Sequence, residues 1–100
     1  MTEKDHIVLS IVVNFLGDHR RTREDNPQKY FNCRSKKCIH DKDKFNLSYN
    51  AESKIFRCWK CETRGSVHTL SRIFGGASDV EKLKLILPYI EPRVYLLNLK

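Results

Sequence analysis

The apolar residues near the N-terminus recur every three or four positions, which is the spacing of one face of a helix. Six of them keep this spacing: Ile7, Val8, Ile11, Val12, Phe15 and Leu16. Thr2 and Asp5 stand before them with the spacing of a capping box, and Gly17 follows them as a stop signal. The pattern predicts a first helix that begins after Thr2 and ends before Gly17.

A polar and charged segment, residues 18–27, separates this helix from the rest of the chain. It ends in Asn26-Pro27, which is a turn signal, so the segment predicts a surface loop. After the loop, residues 29–32 predict a short strand that leads into the first cysteine of the chain.

The hydrophobic period then changes to two. Phe45, Leu47 and Tyr49 alternate with polar residues, which indicates a strand with one buried face. Residues 50–53 predict a turn, and residues 55–57 predict a second strand that runs directly into the last pair of cysteines. The pattern is typical of an antiparallel hairpin.

Two shorter helices are predicted near the C-terminus, after Gly65 breaks the chain. Ser66 is the expected N-cap of the first, Gly75-Gly76 ends it, and its apolar residues share one face: Val67, Leu70, Ile73 and Phe74. Ser78 is the expected N-cap of the second helix. That helix reaches Pro88, and its apolar residues are Val80, Leu83, Ile86 and Leu87.

The chain has four cysteines, and they form two pairs. Cys33 and Cys38 have four residues between them, Cys58 and Cys61 have two, and nineteen residues separate the pairs. Two such turns that face each other across a hairpin supply four thiolates, which is a ligand set of structural zinc sites. The spacing predicts one Zn(II) ion held by the four cysteines in a zinc ribbon.

Two disulfides are the alternative use of four cysteines. Disulfides are typical of secreted proteins, and no apolar signal segment opens the chain because residues 1–6 are polar. We therefore expect reduced thiols, a bound metal ion and a cytoplasmic location. No stretch is long and apolar enough to span a bilayer, so no membrane association is expected.

The predicted fold class is α+β: a zinc ribbon, which is a small antiparallel sheet with zinc-binding turns, flanked by N-terminal and C-terminal helices. A chain of 100 residues, of which 40% are hydrophobic, can bury one modest core, and a metal ion would add folding free energy. We expect one zinc-binding domain over residues 1–90. Residues 91–100 are expected to form either a last strand or a tether to a further domain.

The formal net charge of the chain is +7. The whole excess of positive charge lies between Arg20 and Arg64, a segment that contains thirteen Lys and Arg but only six Asp and Glu. A zinc ion with four thiolates subtracts two charges and leaves this segment at about +5, which still attracts a polyanion. A basic face that serves only solubility is the alternative. Because cations stand inside and beside the cysteine pairs, we favour nucleic acid, with candidate contacts at Arg34, Lys36, Lys37, Arg57, Lys60 and Arg64.

Aromatic side chains beside these cations are candidates for stacking on unpaired bases. Trp59, inside the second cysteine pair, is the first candidate, and its alternative role is a lid packed over the zinc sulfurs. Phe45, Tyr49 and Phe56 could add a platform on the strands. Alternation predicts, however, that two of these three belong to the core.

Four segments follow the first helix and the charged loop in a distinctive order. They are Tyr30-Phe31-Asn32-Cys33, Phe45-Asn46-Leu47-Ser48-Tyr49, Ile55-Phe56-Arg57-Cys58-Trp59-Lys60-Cys61, and Gly65-Ser66-Val67 at the start of a helix. This order resembles the N-terminal zinc-binding domain of bacterial and phage-type DNA primases. The resemblance implies recognition of single-stranded template DNA where an RNA primer begins during DNA replication. It also implies two partners, a primase polymerase domain and a replicative helicase.

The resemblance leaves one metal ligand open. The bacterial family places a histidine shortly after the first cysteine, whereas some phage primases use four cysteines. His40 stands seven residues before Leu47, a distance similar to that between the family histidine and its strand phenylalanine. His40 is therefore the alternative ligand, in place of Cys33 or Cys38. Four cysteines are favoured because a free thiolate beside zinc would compete strongly for the ion.

No catalytic centre is predicted in this chain. Nucleotidyl transfer requires carboxylates that hold divalent ions, and the pair Asp41 and Asp43 stands among lysines, as expected for a solvated loop. Gly75-Gly76 lacks the lysine of a phosphate-binding loop. If the chain is part of a primase, the nucleotidyltransferase centre lies outside these residues. The alternative function is a structural or protein-docking zinc ribbon that does not bind DNA specifically.

Overall fold

The computed structural model describes residues 1–40 and 43–88. In these residues the chain forms three helices and one four-stranded antiparallel sheet, which confirms the predicted α+β class. The elements in chain order are α1 (Glu3–Leu16), β1 (Gln28–Phe31), β2 (Leu47–Asn50), β3 (Ile55–Cys58), β4 (Arg64–Ser66), α2 (Val67–Phe74) and α3 (Ala77–Ile86). Asp41 and the expected tail at residues 91–100 lie outside the described part of the chain.

Helix α1 begins and ends where the sequence predicts. The Oγ1 of Thr2 accepts a hydrogen bond from the Asp5 N–H at 3.1 Å, and the Asp5 carboxylate accepts one from the Thr2 N–H at 2.9 Å. This capping box satisfies two of the N–H groups that the start of a helix leaves without partners. At the other end Gly17 has a φ of +90°, which suits glycine, and its N–H donates to the Val13 carbonyl.

The strands lie in the order β1-β2-β3-β4, and each pairs with its neighbour in the chain. The register places Phe31 opposite Leu47, and Leu47 opposite Cys58. Because side chains alternate along a strand, the sheet has two distinct faces. The inner face carries Lys29, Phe31, Leu47, Tyr49, Phe56 and Cys58, and the outer face carries Tyr30, Ser48, Ile55, Arg57 and Arg64.

The three helices cover the inner face of the sheet. Its large side chains are fully buried in one core with residues from all three helices, including Val8, Val12, Val67, Leu70 and Leu83. The prediction that two of three aromatic residues are buried is confirmed, because Tyr49 and Phe56 are in this core. They are therefore not available as a stacking platform. Phe45 is half-buried and precedes β2.

Two details near the C-terminus differ from the predictions. Gly65 does not break the chain but lies in β4. Its φ of +154° favours glycine, and an added Cβ would lie in tight contact with the Thr69 side chain, at 3.1 Å. The N-cap of α3 is Gly76 and not Ser78. Asp79 explains this shift, because its carboxylate accepts from the Gly76 N–H at 2.9 Å and from the Asn14 amide at 3.0 Å, which ties α3 to α1. Ser66, by contrast, is the N-cap of α2 as predicted.

Two lysines fasten loops to this core. Lys54, in the turn between β2 and β3, forms an ion pair with Asp5 at 2.5 Å and thereby joins the turn to the start of α1. The hydrogen bond from the Lys54 ammonium is the main reason why the pKa of Asp5 falls to about 2. Lys29 is buried, and its Nζ donates to the Thr22 hydroxyl and the Arg23 carbonyl, which holds the loop of residues 18–27 against β1.

The Tyr49 hydroxyl has no hydrogen-bond partner in the described part of the chain, although it is buried, and burial raises the pKa of Tyr49. A buried polar group without a partner costs free energy. We expect Tyr49→Phe to raise the free energy of unfolding by about 1 kcal/mol, measured by urea denaturation. Tyr30→Phe, on the outer face, is the matched control and should change stability by less than about 0.5 kcal/mol. A destabilised Tyr49→Phe protein would show that the hydroxyl has a partner in solution.

No helix in residues 1–40 and 43–88 combines the length and apolar character needed to cross a membrane.

Candidate metal centre

The fold brings the four cysteines together at one end of the sheet. We name residues 33–38 the first cysteine turn and residues 58–61 the second cysteine turn. Their four Sγ atoms all lie within 4.8 Å of one another, and we refer to them as the cysteine cluster. Two of the separations join the two turns: Cys38 to Cys58 at 3.5 Å and Cys33 to Cys61 at 3.8 Å.

Strand register explains why the cluster forms. Phe31, Leu47 and Cys58 occupy one row across three strands, and Cys33 follows Phe31 by two residues, so both cysteine turns begin at the same end of the sheet. Backbone hydrogen bonds then close each turn. The Cys38 N–H donates to the Ser35 carbonyl at 3.0 Å, and the Cys58 N–H donates to the Thr63 carbonyl at 2.8 Å. The second turn also places Glu62 at a φ of +60°, a conformation that few residues other than glycine adopt.

Burial and two hydroxyl groups set the acidity of the thiols. Burial raises the pKa of Cys33 and raises that of Cys58 to about 12. Burial acts in the same direction on Cys61, but hydrogen bonds from Ser35 and Thr63 outweigh it and lower the pKa of Cys61 to about 6. The Thr63 hydroxyl lies 3.1 Å from the Cys61 sulfur, and the Ser35 hydroxyl lies 3.4 Å from the Cys33 sulfur.

The geometry of the cluster fits a tetrahedral metal ion. Zn–S bonds of about 2.3 Å place the sulfurs of a tetrahedral site about 3.8 Å apart, close to the separations of 3.5 and 3.8 Å between the two turns. A disulfide requires sulfurs about 2.05 Å apart, and all four cysteines are free. Four sulfur donors of this kind are suited to zinc and other soft metals. The cluster can therefore hold a metal ion.

His40, the alternative ligand, is exposed and does not belong to the cluster. The hydroxyls of Ser35 and Thr63 are contacts that the sequence argument missed. A signal for them exists, since each stands two residues after a cysteine, in Cys33-Arg34-Ser35 and Cys61-Glu62-Thr63. Hydroxyls at this position can donate to a ligand sulfur and orient it.

Three of the candidate nucleic-acid contacts meet beside the second cysteine turn. Arg57 and Arg64 stand directly opposite each other on β3 and β4, on the outer face. Trp59 is 63% exposed, and the Arg57 guanidinium lies over its ring, 5.1 Å from the centroid. We name Arg57, Trp59 and Arg64 the Arg–Trp patch. The exposure of Trp59 argues against its alternative role as a lid over the sulfurs.

The remaining candidates occupy separate positions. Lys60 is exposed in the second cysteine turn, and Lys36 and Lys37 are exposed in the first. Arg34 differs from them, because its Nε and Nη2 both donate to the Leu16 carbonyl, at 3.3 and 3.1 Å. This contact satisfies a carbonyl at the C-terminal end of α1 and fixes the guanidinium there.

No protein-family model matches the chain, and no curated protein matches it either.

Proposed function

We propose that this chain is a zinc ribbon that binds single-stranded DNA, and that it recognises template DNA for a primase during primer synthesis. In this proposal Cys33, Cys38, Cys58 and Cys61 hold one structural Zn(II). The ion fixes the second cysteine turn, and the turn presents Trp59 to solvent. The chain supplies binding, while nucleotidyl transfer belongs to a polymerase domain and unwinding to a replicative helicase.

The main support for DNA binding is the arrangement of the Arg–Trp patch. Like charges directly opposite in a sheet destabilise it, so the pairing of Arg57 with Arg64 has a cost that a bound anion would remove. Phosphates spaced along a nucleic acid strand are suitable anions. The two arginines and Glu62 line a polar cavity of about 210 Å³ that can take such a group.

Trp59 favours a single strand over a duplex. An exposed indole offers a flat surface to an unpaired base, and such stacking contributes about 1–3 kcal/mol for each base. The Arg57 guanidinium already lies over the ring, which restricts the movement of both side chains before DNA arrives. A stacked base and its neighbouring phosphates could then contact Trp59 and the arginines together.

The test compares the salt dependence of binding in two double variants. A fluorescent oligo-dT of twelve nucleotides is titrated with the zinc-loaded chain at several salt concentrations, and binding is read by anisotropy. We expect Arg57→Gln with Arg64→Gln to weaken binding and to lower the slope of log K against log salt by about 1.4, which corresponds to two phosphate contacts.

Lys82→Gln with Lys84→Gln is the matched control, because it removes the same charge from exposed positions on α3. It should leave the slope nearly unchanged. Lys36→Gln with Lys37→Gln shows whether the first cysteine turn also contacts phosphate. If the arginine variant is folded and binds with an unchanged affinity and slope, the proposal is wrong and a docking or structural role is favoured.

A further inference from the structure

A cavity lined partly by Cys33 and Cys38 is a second feature of this region. The end of α1 and the first cysteine turn enclose a cavity of about 420 Å³, which we name the α1-end cavity. Its volume is within the range of small-molecule sites in proteins. Leu16 and Ile39 provide apolar walls, and Asp18, Asn32 and Arg34 provide polar groups.

Hydrogen bonds hold two polar groups of the α1-end cavity, Asn32 and Arg34, in place. The Asn32 Oδ1 accepts a hydrogen bond from the Phe45 N–H at 3.1 Å, so the amide nitrogen is the part of this side chain left to donate. The two bonds from Arg34 to the Leu16 carbonyl use two of the five N–H groups of the guanidinium. Asp18 adds an exposed carboxylate, which can only accept.

Charge makes this cavity a poor site for phosphate. Cys33 and Cys38 form part of its wall, and a Zn(II) ion with its four thiolates still has a net charge of about −2. The Asp18 carboxylate adds a further negative charge, against the single positive charge of Arg34. A neutral ring with both donors and acceptors suits these surroundings better than an anion does.

Ile39 favours a ligand with a flat face. It is 54% exposed at the wall of the cavity, although it directly follows a buried cysteine. A large apolar side chain in this position can cover the face of a planar ring and be removed from water by it.

We propose that the α1-end cavity binds one unstacked base of the DNA strand, and that it prefers guanine. Guanine presents two neighbouring N–H donors, N1–H and the N2 amine, which match the Asp18 carboxylate, and its O6 and N7 accept from Arg34 and Asn32. The inference rests on the proposed function, since the base arrives as part of a bound strand. It adds base selectivity to the sequence-independent contacts of the Arg–Trp patch.

The experiment uses the zinc-loaded full chain and three twelve-nucleotide oligo-dT strands that carry one central guanine, hypoxanthine or adenine. Hypoxanthine lacks only the N2 amine of guanine. We expect the guanine strand to bind about tenfold more tightly than the other two, since one well-matched base is worth about 1–3 kcal/mol of discrimination. Asp18→Asn should abolish the difference between guanine and hypoxanthine while the affinity for plain oligo-dT is kept.

Glu24→Gln is the matched control, because it removes one exposed carboxylate from the same loop but outside the cavity. It should keep the guanine preference. If the strands bind equally well, or if Asp18→Asn retains the preference, the cavity does not bind guanine and the proposed function is unaffected. If no strand binds at all, the proposed function fails, and this inference fails with it.

Discussion

Cys58→Ser should abolish the folded state of the chain even when zinc is present in excess. Cys58 is fully buried, and its sulfur lies 3.5 Å from that of Cys38. A structural zinc site contributes about 10–16 kcal/mol of apparent binding free energy, whereas a domain of this size has a total stability of about 5–15 kcal/mol. If the cluster holds Zn(II), as proposed, the loss of one of its four thiolates weakens a contribution that is as large as the stability itself.

The measurement combines circular dichroism with the zinc content of the purified protein. The Cys58→Ser protein should show no cooperative thermal transition and less than one zinc ion per chain. Treatment of the unaltered protein with a strong chelator should have the same effect, and added zinc should reverse it.

His40→Ala is the matched control for the metal site. Because His40 is exposed and lies outside the cysteine cluster, its loss should change neither the zinc content nor the melting temperature. A His40→Ala protein without zinc would establish the histidine as a ligand. A Cys58→Ser protein that melts cooperatively at the original temperature would show that the cluster does not hold the fold together.

The sequence predicted those helices and strands whose signals lie within one short segment of the chain. The capping box of Thr2 and Asp5 and the stop at Gly17 fix α1 within the chain segment itself, and the structure confirms both ends. The first strand of the hairpin was predicted from its alternation, and the second from the turn at residues 50–53 that precedes it, which are also local signals. In contrast, β4 has three residues and exists only because it pairs with β3, so its sequence carries no periodic signal.

The same distinction applies to the metal centre and its surroundings. Cysteine spacing predicted which four side chains come together, because each pair is set by a short turn. The sequence could not predict that Arg34 donates to the Leu16 carbonyl, since this contact joins residues 18 positions apart through the packing of α1. The α1-end cavity was missed for that reason, because it depends on where this packing places the end of the helix.

Phe56→Ala should lower the free energy of unfolding by about 3–5 kcal/mol, the cost of emptying a well-packed aromatic site. Phe56 lies on the inner face of β3, is 1% exposed and belongs to the core that α1, α2 and α3 complete. Urea denaturation in excess zinc measures the change. Zinc content should stay at one ion per chain in the folded fraction, because the ring is not part of the cysteine cluster.

Trp59→Ala is the matched comparison, since it removes an aromatic ring three residues further along the chain but on the exposed side. It should reduce stability by about 1 kcal/mol or less, the worth of an exposed contact between a cation and a ring. Its effect on oligo-dT affinity should be larger, about 5-fold to 150-fold, if one base stacks on the indole. The two variants thus separate folding from binding. Equal destabilisation by both would mean that Trp59 is a core residue in solution, and an unchanged DNA affinity of folded Trp59→Ala protein would exclude stacking there.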